Sequence, residues 1–159
     1  MQRFVTATVL SLALAPALAS AAGPPTWDKI ASANSRFKPA LSGAATLDKE
    51  TGLVWETTPT QGVYRTFAAA QARCAGLVVG GRAGWRVPTI EELTSLAVPN
   101  PGAAFTYDSD YYWTATTVAG TPANAWLVYI SGSSTVASLA KGNAELVWCV
   151  RGGHGYDGQ

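Results

Sequence analysis

The chain has 159 residues, 11 of them basic and 10 acidic, with 16 Gly, 6 Trp and 6 Tyr. That length bounds the fold at one domain, and a charge so nearly balanced excludes mechanisms that rest on a strong global field, nucleic-acid binding among them. Few charges beside many Trp, Tyr and Gly exclude a helical bundle or a disordered chain and indicate a compact, loop-rich domain that contains β-structure.

Residues 1–21 read as a secretory signal. Arg3 gives a short positive start, Phe4 to Leu14 is apolar but too short to span a bilayer, and Ala17-Leu18-Ala19 and Ala19-Ser20-Ala21 offer small-x-small cleavage sites. The apolar run breaks at Pro16, and no later segment approaches the length of a membrane helix. The expectation is a secreted or periplasmic protein with no membrane insertion after cleavage. Loss of the signal leaves ten basic and ten acidic residues. Residues 22–44, with Pro24, Pro25 and Pro39, read as an extended lead-in, partly ordered at best.

Patterned sequence runs over 45–152. Ala45-Thr46-Leu47 and Leu53-Val54-Trp55-Glu56, separated by a Gly-containing loop, predict a β-hairpin. Thr66 then caps a helix whose Phe67, Ala70, Cys74 and Leu77 share one face, and Gly76 and Gly80-Gly81 end it. Thr89 and Glu92 form a T-x-x-E capping box, which starts a second helix at Ile90 that runs to about Leu96. Pro88 forces Val87 to be extended, so Trp85-Arg86-Val87 feeds rigidly into that helix. Residues 97–110 form a long irregular loop. Strands follow at 111–117, 125–130, 135–140 and 145–151, and the Gly-rich tail 153–159 closes the chain. Hairpin, two helices, loop and antiparallel meander make an α+β fold.

Cys74 and Cys149 are the two cysteines. In an exported chain an isolated pair forms a disulfide more often than a reactive or metal-bound thiol, and neither has a Cys or His at ligand spacing. The bridge would tie the first helix to the final strand, for roughly 4 kcal/mol at the upper end.

Arg86, between Trp85 and Val-Pro, can stack on an aromatic ring and donate to Glu91, Glu92 or Glu56. The locked backbone favours a structural staple of Trp85, Arg86 and Glu92 over an anion clamp at the helix N-terminus. Arg82, in the Gly-rich loop before it, is the more exposed cation. The segment FTYDSDYYWTATT gathers aromatics near two carboxylates. Core filling competes with ligand stacking there, and among ligand-binding candidates Tyr107 and Tyr112 stand first, joined by Arg82, Asp108 and Asp110. Asp108, Asp110 and Asn100 fall well short of a calcium loop, so no metal site is assigned. Catalysis is not expected either: His154 is the only histidine, in the tail, and no nucleophile elbow, H-E-x-x-H or phosphate loop occurs.

DKETGLVWE, FAAAQARCAGL, GWRVPTIEELTSL, YYWTATT, NAWLVYISG and VWCVRGG occur in an order that resembles the C-terminal domain family of the Legionella collagen-like protein, over residues 45–152. The resemblance implies an exported bacterial protein, adhesion to sulfated glycosaminoglycans and a homotrimer. More distantly, a Cys in the first helix and another in the last strand is similar to the long-range disulfide of C-type lectin-like domains. WRVPTIEEL is similar to a segment of formylglycine-generating enzymes, which have a related fold. A C-type lectin-like architecture is therefore expected. The function expected is non-catalytic recognition or adhesion without a cofactor, by aromatic stacking and hydrogen bonds from the 97–110 loop to a glycan or cell-surface protein. The alternative is a structural or protein-interaction subunit of a cell-envelope assembly.

Overall fold

The computed structural model describes residues 33–152 apart from 60, 99, 132 and 133; the signal at 1–21, most of the lead-in and the tail with His154 lie outside the described residues. Within that span the chain forms α1 (Ala33–Arg36), β1 (Phe37–Ala40), β2 (Ala45–Asp48), β3 (Leu53–Glu56), β4 (Arg65–Thr66) and α2 (Phe67–Ala75). It continues through α3 (Ile90–Ala97), β5 (Tyr111–Thr117), β6 (Asn124–Tyr129), β7 (Val136–Ala140), β8 (Ala144–Glu145) and β9 (Val150–Gly152). The sheets are antiparallel, in the orders β1-β2-β3-β9, β4-β8 and β5-β6-β7. No helix among the described residues is long and apolar enough to cross a membrane.

Local chemistry sets the element starts. Thr66 Oγ1 accepts from Ala69 N and opens α2. Thr89 Oγ1 accepts from Glu92 N while the Glu92 carboxylate accepts from Thr89 N, so both halves of the α3 capping box are made. In the β2–β3 hairpin the turn needs Gly52, at φ +72°, whose N–H donates to Asp48 O at 2.8 Å. Asp48 organises the same turn, its carboxylate accepting from Glu50 N and the Thr51 hydroxyl.

Three central segments lie between two apolar cores, because alternate residues of an extended chain point to opposite sides. Trp55, Tyr112 and Trp148 enter one core with Phe37, Phe105, Leu93 and Leu96. Val54, Trp113, Val147 and Cys149 enter the other with Phe67, Ala70, Cys74 and Trp85. Trp148 is the hub of the first core: Trp55, Phe105, Tyr107 and Tyr112 all meet it with ring centroids 5.2–6.2 Å away. Its Nε1 donates to Glu56 O at 2.8 Å. In the second core the Cys74–Cys149 disulfide joins α2 to the segment before β9, with Cα atoms 5.5 Å apart.

Two expectations require correction. The ordered unit begins well before residue 45, since β1 pairs with β2 from Phe37↔Asp48 to Ala40↔Ala45. Arg36 carries the reason. It is 1% exposed, and its guanidinium spans Asp48, the Ser95 and Val98 carbonyls and the Ser95 hydroxyl. The Ser95 and Val98 carbonyls belong to the end of α3, where backbone acceptors lack partners within the helix. The predicted final strand also divides. Its start pairs with β4, Leu146 bridges to Tyr112, and its end pairs with β3, so the meander proper stops at β7.

Candidate functional site

Of the staple expected from Trp85, Arg86 and Glu92, the Arg86–Glu92 pair is present at the α3 entrance. Arg86 Nη1 and Nη2 donate to the two Glu92 oxygens at 2.7 and 2.6 Å, and the Arg86 backbone exchanges hydrogen bonds with Val150 in β9. Glu92 thus closes the capping box and receives the guanidinium at once. Burial alone would raise its pKa, but the Arg86 hydrogen bonds, Thr89 N–H and the Arg86 charge together hold the carboxyl below its usual range. The Glu92 bond in turn raises Arg86. The expected stacking partner, Trp85, instead turns into the second core, and its Nε1 donates to Arg82 O at 2.8 Å. The Arg86 side chain remains 43% exposed, so it is a surface brace rather than a buried pin.

The ligand candidates do not assemble as a set. Tyr112 is 1% exposed, which corrects its place among stacking residues: at Tyr112 and Trp113 both faces of β5 are covered, one by each core. Its hydroxyl donates to Asp108 O and accepts from Asp108 N, and burial pushes the phenol well above its usual range. Tyr107 is half-buried against Trp148, and its hydroxyl donates to Asn100 Oδ1 at 2.7 Å. Arg82 stands apart in a tight turn closed by reciprocal Val79–Arg82 backbone bonds, exposed as expected.

Asp108 and Asp110 do come to one surface, with residues that periodicity alone missed. Asp108 Oδ2 accepts from Gly62 N at 2.6 Å, and Asp110 Oδ2 accepts from the Tyr64 hydroxyl at 2.7 Å. The two carboxylates thereby fasten the loop before β4 across a sequence distance of 46 residues. Asp110 Oδ1 also accepts from Tyr111 N. Next to it, Tyr111 and Tyr129 are directly opposed in the β5–β6 pair, half-buried, with ring centroids 5.0 Å apart. Tyr64 is 50% exposed beside Val63, which is also exposed.

Glu145 joins this face through β8. The strand partner of Arg65 is Glu145, and its neighbour Leu146 donates to Tyr111 O. Burial and then the Asp110 charge raise the Glu145 pKa. The Tyr64 phenol is raised first by its bond to Asp110 and then by the charges of Asp110, Asp108 and Glu145. Sequence signals for the site existed: Val63-Tyr64 before a helix cap, and Tyr111 and Tyr129 at strand ends. Nothing local showed that they would meet.

Asn100, Asp108 and Asp110 spend oxygens on protein donors, and no group of three or more His, Cys, Asp or Glu able to hold a metal occurs among the described residues. Tyr64 offers an exposed ring, Tyr111 and Tyr129 meet edge to face at 62°, and the carboxylates can accept hydrogen bonds.

No curated protein matches the chain. The family model for the Lcl C-terminal domain matches residues 44–151, from the start of β2 to β9, and takes in α2, α3, the disulfide and every residue of the tyrosine face. By that match the chain belongs to the Lcl C-terminal domain family.

Proposed function

We propose that this protein is an exported, non-catalytic surface module for recognition or adhesion, secreted or periplasmic, and that it binds a glycan on the face formed by Tyr64, Tyr111 and Tyr129. Family membership supports an adhesion-like role. The observation that carries the ligand-binding reading is Tyr64, half-exposed and held by Asp110 beside the opposed pair Tyr111 and Tyr129. Pyranose rings present C–H faces to such aromatics, and their hydroxyls donate to carboxylates such as Asp108, Asp110 and Glu145. The fold we assign is C-type lectin-like. The long disulfide and the meeting of β3 with β9 support that assignment.

A broad glycan array tests the reading, with wild type compared against the Tyr64→Ala, Tyr129→Ala double variant. Binding that the double variant loses while its thermal midpoint stays near wild type is the expected result. An array on which wild type binds nothing rejects glycan recognition.

One observation favours the second reading, an interaction subunit. β7 is an outer strand of its sheet, and Val136-Ala-Ser-Leu-Ala140 carries neither charge nor proline, the usual guards against strand addition. On that reading Ser138→Lys abolishes association with an envelope protein or a second copy and leaves glycan binding unchanged.

A further inference from the structure

A cavity of about 370 Å³ opens between β1, β2 and the single turn of 3-10 helix at Gly102–Ala104. That volume lies at the lower end of the range of ligand pockets, roughly 300–1,000 Å³. Phe37 and Ala104, which belong to or pack on the first core, give the cavity apolar walls. Its lining also holds a polar pair. The hydroxyl oxygens of Thr46, 4% exposed, and Thr57 lie 2.8 Å apart. One donates to the other, which leaves lone pairs and one O–H for a further partner. Lys38 is exposed in the same lining and forms no salt bridge among the described residues; its Nζ donates to Asn34 O at 3.5 Å.

We infer that the occupant of this cavity is the chain's own lead-in: segment 22–32 turns back ahead of α1 and seats Trp27 between Phe37, Ala104 and the two threonines. The start of the described chain favours this occupant. Ala33 is the first described residue and Asn34 itself lines the cavity, so the preceding segment issues at its rim. Six residues, 28–33, separate Trp27 from Asn34, and connections of about 2–6 residues commonly reverse a chain. Side-chain chemistry selects the anchor. The large apolar residues of the segment are Trp27 and Ile30. An indole brings both an apolar body for Phe37 and Ala104 and an N–H for the threonine oxygens, and Ile30 has no such donor. Charge agrees: Asp28 adjoins Trp27 in sequence, and Lys38 is the cation of the lining. Tethering settles the competition, because a segment linked by so few residues has an effective concentration on the order of millimolar, which a free ligand or a second copy has to exceed. Docked in this way, the lead-in closes the cavity to outside ligands.

Fluorine NMR of the whole chain labelled with 5-fluorotryptophan reads Trp27 directly, its signal being the one lost in Trp27→Phe. The expected result is a Trp27 signal that resists a soluble paramagnetic agent as do those of Trp55 and Trp148, both 0% exposed. Ala103→Phe fills the cavity from an exposed position in its lining and is expected to make Trp27 as accessible as it is in urea. Lys38→Glu is expected to raise its accessibility in part. Circular dichroism confirms that each variant is folded, and Ala103→Leu replaces Ala103→Phe should that variant fail to fold. Loss of protection in the cavity-filling variant alone upholds the seat and removes only the Asp28–Lys38 pairing. A Trp27 signal already accessible in wild type overturns the inference. Protection that survives cavity filling also overturns it, by placing Trp27 elsewhere, and protection that fades on dilution overturns it in favour of docking into a second copy.

Discussion

Arg36, the last residue of α1, and Asp48 in β2 form a two-pronged ion pair, with Nε to Oδ1 at 2.8 Å and Nη2 to Oδ2 at 2.6 Å, both side chains 1% exposed. A buried pair of this kind is costly to break from one side, because the surviving charge keeps its desolvation cost without its partner. Arg36→Ala is therefore expected to lose about 3–5 kcal/mol in urea unfolding. Arg36→Met combined with Asp48→Leu should lose less than either single change, which a double-mutant cycle measures. Since Arg36 and β1 precede the family match, a chain begun at residue 44 is expected to unfold without a sharp cooperative transition.

The Arg86–Glu92 brace gives a pH dependence. Glu92 has a folded pKa below its ordinary value, so its contribution is complete above the ordinary carboxylate range and is lost as pH falls through the folded value. Exposure of the pair limits this to about 1 kcal/mol. Unfolding midpoints measured from neutral to acid pH should fall less steeply for Glu92→Gln than for wild type. Thr89→Ala, which removes the other half of the capping box, costs a further ~1 kcal/mol without changing that slope.

Glu145 has the opposite sign. Its folded pKa is raised, so its contribution is present below the unfolded pKa and lost as pH rises through the folded one. Glu145→Gln is expected to stabilise the free protein at neutral pH by less than about 1 kcal/mol, with the gain vanishing in acid.

The disulfide is supported by an ion pair of its own. Arg73 donates to both oxygens of Glu56 and to Cys149 Sγ, and Glu56 Oε2 accepts from Cys149 N. Replacing both cysteines by Ala should cost about 2–5 kcal/mol. Glu56→Gln should cost on the order of 2 kcal/mol even with the bridge intact, as read from denaturant midpoints, because a half-buried Arg73 loses its carboxylate.

Tyr112 and Tyr64 should part company under substitution. Tyr112→Phe removes a hydroxyl that satisfies both backbone groups of Asp108 and is expected to cost ~1 kcal/mol of stability while leaving ligand affinity alone. Tyr64→Ala is expected to do the reverse. Unfolding and binding isotherms on the same preparations give both readouts.

What the sequence disclosed was mostly local. Thr66 and Thr89 announced their helices because capping is decided within four residues, and the alternation of Leu146, Trp148 and Val150 against Val147 and Cys149 matches the division between the two cores. Between core filling and ligand stacking at Tyr112 the structure chose the core, and alternation could not decide it, because it assigns a side without saying whether that side is covered. Arg36 was invisible for another reason: its partners sit 12 to 62 positions away, in a stretch with no period of its own. Asp108 and Asp110 were singled out by composition, but Tyr64, Tyr129 and Glu145 reach them only through tertiary pairing.

Residues 144–152 have a place in every part of this architecture. They pair with β4, bridge to Tyr112 and Arg86, supply Trp148 and the second sulfur, and complete the first sheet beside β3. A nascent chain released from the amino end forward lacks its central seam until those nine positions arrive. The domain therefore stays open while residues 33–143 are made, and it closes only when residues 144–152 join β3, β4, Tyr112 and Arg86.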